Sequence, residues 1–206
     1  MKAAVKTAVK TLSKKSAPPR PHGGAGEVRI IGGQWKRTSL PVPDLPGLRP
    51  TPARVRETLF NWLGQDLAGW RCIDAFAGSG ALGLECASRG AAQVLLCEQD
   101  LRLAAALKAL CTRLSASTVE VRRGDGISAL RAVPGAWDLV LLDPPFEADL
   151  FDAALKAAAA GLAANGLVYL EAPEAWDQAR LAELGWSSER HLRAGAVHAH
   201  LLRRSA

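Results

Sequence analysis

The chain of 206 residues reads as an α/β protein with a mostly parallel, seven-stranded sheet, helices on both faces, and a small N-terminal extension. Three observations predict this. From Trp70 onward, short continuous apolar runs alternate with segments of helical periodicity, as for strands buried on both faces. Acids follow four successive apolar runs, where open α/β sheets gather ligands. After the first run comes "GSGALG", a glycine-rich turn leading into a helix.

The elements follow in order. Residues 1–26 are rich in Lys, Pro and Gly and read as a disordered basic tail. Residues 27–63 form the extension. "VRIIGGQWKRTSLPV" predicts a hairpin around Gly32-Gly33 with Trp35 at its tip. "LRPTPARVRETLFNWL" predicts a helix with Thr51 as N-cap, Pro52 at its first position, and Val55, Leu59, Trp62 and Leu63 on one face. Residues 64–206 form the main domain. "RCIDAF" is a strand and 80–89 a helix closed by Gly90; "AQVLLCE" is a strand and "LRLAAALKALCTRL" a helix. "TVEVRR" is a strand, with a short helix near 127–132; "DLVLLD" is a strand and 149–163 a helix. "GLVYLE" is a strand, 175–184 a helix, and "WSSERHLR" and "AVHAHLLRR" pair as a hairpin around Ala194-Gly195.

Composition narrows the function classes. A hydrophobic content of 49% supports a sizeable core. No apolar run approaches the roughly 18 residues of a membrane span, and "MKAAVKTAVKTLSKKSA" lacks the apolar block of a secretory signal, so a cytoplasmic protein without membrane association is expected. Cys72, Cys86, Cys97 and Cys111 form no C-x-x-C pair and read as reduced core residues; no metal is expected. The net charge of +6 resides in residues 1–26, which hold six bases and no acid, while the remainder carries 20 of each sign. Residues 28–62 are again cationic: Arg29, Lys36, Arg37, Arg49, Arg54 and Arg56 stand against Asp44 and Glu57. This asymmetry points to a polyanion met at the N-terminal side. Arg29, Lys36, Arg37, Arg49 and Arg54 are its expected phosphate contacts. Trp35 either stacks on a base or packs on the core.

The acids after the strands are Asp74, Glu98, Asp125 and Asp143. Each would cost several kcal/mol if buried unpaired. Any one could cap the following helix, but the set is poorly explained that way. Gly78-Ser79-Gly80-Ala81-Leu82-Gly83 matches G-x-G-x-x-G, and Glu98 could hold a ribose, so a nicotinamide oxidoreductase is one reading. A pyrophosphate, however, wants donors and positive charge, and Asp74 stands at the mouth of the loop. A carboxylate there suits a cationic ligand such as S-adenosylmethionine. Glu98 then accepts from the ribose hydroxyls and Asp125 from the adenine amine.

"DPPF" closes the fourth strand with an acid, two prolines and an aromatic. The prolines make a rigid turn whose carbonyls are expected to lack local N–H partners. An exocyclic nucleobase amine is a poor nucleophile, because its lone pair is delocalised into the ring. The Asp143 carboxylate and the Pro144 carbonyl can each accept one of its N–H bonds, which aims the lone pair at a methyl donor. Pro145 stiffens the turn, and Phe146 offers a ring face for stacking. DNA and protein amino-methyltransferases could use similar chemistry, but they more often carry Asn in place of Asp143. A non-catalytic RNA-binding module would leave the acid set without purpose.

Three stretches together, "VRIIGGQWKRTSLPVPDLPGLRPTPARVRETLFNWL", "DAFAGSGALGLECASRGA" and "LVLLDPPF", resemble the bacterial RsmD-type methyltransferases over essentially residues 27–204. That resemblance implies a Rossmann-like S-adenosylmethionine-dependent methyltransferase fold whose last strand is antiparallel. It implies methylation of the N2 amine of a guanine in 16S ribosomal RNA, within an assembled or assembling 30S subunit, by an enzyme expected to be a monomer. It carries the donor-binding motif onto Asp74 to Gly80, including Phe76, Gly78 and Gly80, the ribose acid onto Glu98, and the catalytic motif onto Asp143, Pro144, Pro145 and Phe146.

Overall fold

Helices cover both faces of one sheet in the computed structural model, which describes residues 26–45, 48 and 50–205. The expected tail, apart from Gly26, and the expected phosphate contact Arg49 lie outside the described residues. Strands β1 (Gly26–Arg29) and β2 (Ser39–Val42) form an antiparallel hairpin, and α1 (Ala53–Leu63) follows. The main sheet then alternates through β3 (Arg71–Asp74), α2 (Ala81–Ser88), β4 (Gln93–Glu98), α3 (Leu101–Leu114) and β5 (Val119–Arg123). It continues through α4 (Gly126–Ala132), β6 (Trp137–Leu142), α5 (Phe151–Gly161), β7 (Leu162–Ala172), α6 (Gln178–Glu183), β8 (Trp186–Ala194) and β9 (Val197–Arg204).

The seven strands lie in the order β5-β4-β3-β6-β7-β9-β8. The first five are parallel, and β9 runs antiparallel to both β7 and β8. The topology reverses between β3 and β6, which opens a crevice at their carboxyl ends. Successive residues point to opposite faces. Cys72, Leu96, Leu141 and Tyr169 thus join a core with Leu59 and Phe60 of α1 and Leu84 of α2. Ile73, Leu95, Leu142 and Leu170 join a second core with Leu130 of α4 and Leu155 of α5.

Several elements depart from expectation. Thr51 makes no side-chain cap; Pro52 takes the N-cap position of α1, and the Thr51 hydroxyl instead donates to a buried carboxylate, that of Glu171, at 2.6 Å. Strand β7 starts at Leu162 rather than Gly166, because the chain leaves α5 directly in extended geometry and absorbs a register shift opposite Trp137/Leu139. Helix α6 starts later than expected, at Gln178, where Asp177 caps it by accepting from Arg180 N–H at 2.9 Å.

The hairpin strands are shorter than the sequence suggests, and the loop between them folds down onto α2. Gln34 N–H donates to the Ser88 carbonyl at 2.7 Å, and the Ser88 hydroxyl donates to the Gly32 carbonyl at 2.6 Å. A Cβ on Gly33 (φ +72°) would lie 1.8 Å from the Ser88 carbonyl oxygen, so only glycine permits this approach. The Glu85 carboxylate of α2, wholly buried, accepts from Ile31 N–H (2.8 Å) and Gly32 N–H (2.7 Å), and from Arg89 Nε (2.9 Å). Arg56 completes the network: its Nη1 lies 3.4 Å from Glu85 and donates to the Arg29 carbonyl at 2.9 Å, and its Nε donates to the Thr51 carbonyl at 3.2 Å. Arg56 is 2% exposed and therefore drops out of the expected cationic surface.

Candidate active site

A cavity of about 1110 Å³ opens at the carboxyl ends of β3, β4, β6 and β7. Its walls include Asp74, Phe76, Gly78, Glu98, Asp143 to Phe146, Glu171 and, from the extension, Leu45, Leu48 and Pro50 to Pro52. Strand register explains the convergence. Asp74 is level with Leu141, and Leu142 with Leu170, so Asp143 and Glu171 follow side by side at the ends of adjacent strands. Asp74, Asp143 and Glu171 each lie two residues beyond a residue of the first core (Cys72, Leu141 and Tyr169), so all three project toward α1.

Glu171 was not identified from the sequence, although "GLVYLE" shows the same apolar run ending in an acid that marked the other four. It is buried, and its Oε1 accepts from Thr51 Oγ1 at 2.6 Å and Tyr169 Oη at 2.8 Å. Burial raises its proton affinity, against the bonds from Thr51 and Tyr169 and the charge of Arg56. Asp143 titrates well above the ordinary carboxylate range, through burial first and then the charges of Glu171 and Asp74. Asp74 is pushed up to about 7 by burial, although Gly83 and Phe76 N–H groups favour its charged form. Its Oδ2 accepts from Gly83 N–H at 3.0 Å, and a Cβ on Gly83 would come within 2.2 Å of Leu96.

Glu98 organises the glycine-rich loop as well as facing the cavity. Its Oε2 accepts from Gly78 N–H at 2.9 Å and its Oε1 from Asp100 N–H at 2.8 Å. Gly80 does not line the cavity. It makes the turn into α2 at φ +79°, with Leu107 within 2.6 Å of where a Cβ would stand. Asp125 does not line it either; its carboxylate caps α4, accepting from Ile127 N–H (3.2 Å), Ser128 N–H (3.0 Å) and the Ser128 hydroxyl (2.6 Å). That is the capping alternative open to each acid in the sequence.

The "DPPF" turn is partly as expected. The Pro145 carbonyl does have a local partner, accepting from Ala148 N–H at 3.0 Å, because residues 146–148 form a 3₁₀ turn. Among the described residues, no donor reaches the Pro144 carbonyl or the Asp143 carboxylate. Phe146 is 38% exposed; its ring leans on Phe151 (centroids 6.3 Å apart), which packs on Trp176 at 5.8 Å.

Lys36, Arg37, Arg29 and Arg54 are exposed on the extension, away from the cavity walls. The Arg29 Nε donates to Glu27 at 2.7 Å. Trp35 is half-buried and packs against the first core, with its N–H on the Ser88 hydroxyl at 3.0 Å; of the two roles open to it, the structure displays packing.

Comparison with known proteins agrees with this geometry. The family described as "Conserved hypothetical protein 95" matches residues 28–203. The Escherichia coli K12 protein named ribosomal RNA small subunit methyltransferase D is 41% identical over 187 residues, 90% of this chain and 94% of that protein. The Haemophilus influenzae protein of the same name is 38% identical over 178 residues, 84% of this chain and 91% of that one. The solved yhhF structure from Escherichia coli superposes with a TM-score of 0.75 at 38% identity, covering 87% of this chain and 99% of that one. A Haemophilus influenzae methylase structure does so with a TM-score of 0.73 at 33% identity, covering 88% and 100%. The sheet is thus that of a methyltransferase fold, and the chain belongs to the RsmD family.

Proposed function

We propose that this protein is an S-adenosylmethionine-dependent enzyme that methylates the exocyclic N2 amine of a guanine in 16S ribosomal RNA. The observation that carries the reading is the set of carboxylates that line the cavity. Asp74, Asp143 and Glu171 project into it from three adjacent strands, and burial raises the proton affinity of each. Such a site repels a pyrophosphate, which disfavours a nicotinamide cofactor, and welcomes a cation. S-adenosylmethionine supplies a methyl group on a positively charged sulfonium. Asp74 and the Gly78 loop bind the donor, and Glu98 has lone pairs left for ribose hydroxyls. Phe76 lines the same wall. Asp125 could meet an adenine amine only with the lone pairs that its capping bonds leave free.

Asp143 and the Pro144 carbonyl, both without a protein donor among the described residues, accept the two N–H bonds of the target amine and orient its lone pair. Phe146 stacks on the base, a contact worth roughly 1–3 kcal/mol. The base must leave its stack to enter. Lys36, Arg37, Arg29 and Arg54 track the phosphates from the extension. The substrate is the guanine within an assembled or assembling 30S subunit, and the enzyme works as a monomer in the cytoplasm.

Labelled donor offered with free 16S RNA, 30S particles and DNA, followed by nucleoside analysis, tests the reading. N2-methylguanosine from RNA or particles is expected. Label in DNA, or on another nucleoside, would refute it. A thermal-shift comparison of S-adenosylhomocysteine with NAD should stabilise the protein only with the former.

A further inference from the structure

The proposed reaction leaves a proton to be placed. Methyl transfer forms an N–C bond with the amine lone pair, breaks the S–C bond with its electrons left on sulfur, and makes the amine acidic until one N–H proton departs. The structure offers a destination. Asp143 and Glu171 stand side by side at the ends of β6 and β7 and on the same face. Glu171 is 2% exposed and fixed through one oxygen only, by Thr51 and Tyr169. Among the described residues, no donor reaches its Oε2. The carboxylate therefore lines the cavity with an acceptor oxygen that the fold does not consume.

We propose that Glu171 joins Asp143 as the proton acceptor of the reaction, the two carboxylates holding one shared proton after the methylated amine releases it. The inference rests on the methyltransferase reading above. Two adjacent carboxylates in one cavity, one of them fully buried, resist carrying two charges, so a proton is held strongly by the pair. The groups facing the pair agree: Asp74 from β3 repels, Glu98 lies beyond it, Tyr169 donates a hydrogen bond, and Arg56 of α1 is the facing cation, already bound to Glu85. Loss of the sulfonium charge on transfer raises the pair's proton affinity when the amine must discharge its proton. Half-buried Asp143 then returns the proton to solvent.

The test is a proton inventory. Binding of S-adenosylmethionine and of S-adenosylhomocysteine is measured by calorimetry in buffers of different ionisation enthalpy, for wild type, Glu171→Gln and Asp143→Asn. Gln keeps an acceptor oxygen for Thr51 and Tyr169, so the fold should hold, as a melting curve will verify. Wild type should release more protons with the cationic donor than with the neutral thioether, and either variant should cut that difference at least twofold. Single-turnover methylation should rise with pH through neutrality in wild type. Glu171→Gln should lower the plateau about 10²-fold and move the midpoint to lower pH, because Asp143 loses its repelling neighbour. An unchanged inventory and pH profile in Glu171→Gln, with donor still bound, would overturn the role of Glu171 alone. Failure of wild type to bind the donor would overturn the methyltransferase reading as well.

Discussion

At the scale of single residues, the candidate site is built on carboxylates whose surroundings raise their proton affinity. In the proposed reaction Asp143 orients the amine through charge and through an acceptor oxygen. Asp143→Ala removes both, and turnover should fall nearly to nothing; Asp143→Asn keeps the oxygen and should retain a small measurable fraction. Affinity for the neutral S-adenosylhomocysteine should change little in either, because the thioether carries no charge for Asp143 to meet. Equal single-turnover rates for wild type and Asp143→Ala with 30S substrate would end the catalytic reading of "DPPF". Glu98 is different, since its two oxygens also tie Gly78 and Asp100. Glu98→Ala should weaken donor binding in calorimetry and lower stability by about 1–2 kcal/mol, as two backbone N–H groups lose their partner. An unchanged affinity would remove Glu98 from the site.

At the scale of elements, the hairpin of β1 and β2 is held to α2 by a buried acid, Glu85, and by Ser88. Glu85 serves Ile31, Gly32, Arg56 and Arg89 at once. Truncating Glu85 to Ala should cost roughly 3–5 kcal/mol, because it strands two buried guanidinium groups; the loosened hairpin should then be cut early in limited proteolysis, and a protease-resistant hairpin would contradict this. The exposed pair on its tip, Lys36 and Arg37, is proposed to meet phosphate. Lys36→Ala/Arg37→Ala should flatten the salt dependence of RNA binding by roughly 0.7 in log–log slope per lost contact, while leaving donor binding unaffected. Equal slopes would clear this surface of the role. The strands and helices of the main sheet were legible, because period-2 and period-3.6 patterns depend on local burial. The use of the acids was legible only in part. Asp125 and Asp143 look alike in sequence, and only strand register separates the cap of α4 from the cavity wall. Thr51 and Arg56 were misjudged for a related reason: their partners lie 120 and 29 residues away, and no local pattern encodes such pairs. Trp35 stayed ambiguous for want of its contact with Ser88.

At the scale of the whole molecule, two kinds of buried group set opposite pH slopes. Asp74 binds its proton up to about 7, whereas an unfolded chain releases it near 3.8, so stability falls as pH rises across that window. Asp143 and Glu171 act in the same direction. His200, pushed down to about 4 chiefly by burial from an ordinary 6.5, acts in the opposite sense: its contribution is lost as pH falls through that range. These windows overlap and the acids outnumber the imidazole, so the ligand-free protein should melt progressively lower as pH rises from about 5 to about 7, and Asp74→Asn should raise the melting temperature at alkaline pH by roughly 5 °C. A melting temperature that climbs steadily from pH 6 to pH 8 would count against the buried acids. The loop before α1 carries a last consequence. Through Leu45, Leu48 and Pro50 to Pro52 it walls the cavity, while the Thr51 carbonyl holds Arg56, which holds the hairpin through the Arg29 carbonyl. Two ligands that share such a wall are thermodynamically linked, and the linkage is reciprocal: whatever factor RNA adds to donor affinity, the donor adds to RNA affinity. On the proposed reading, methyl transfer, which removes the donor's charge, would then favour release of the RNA as well.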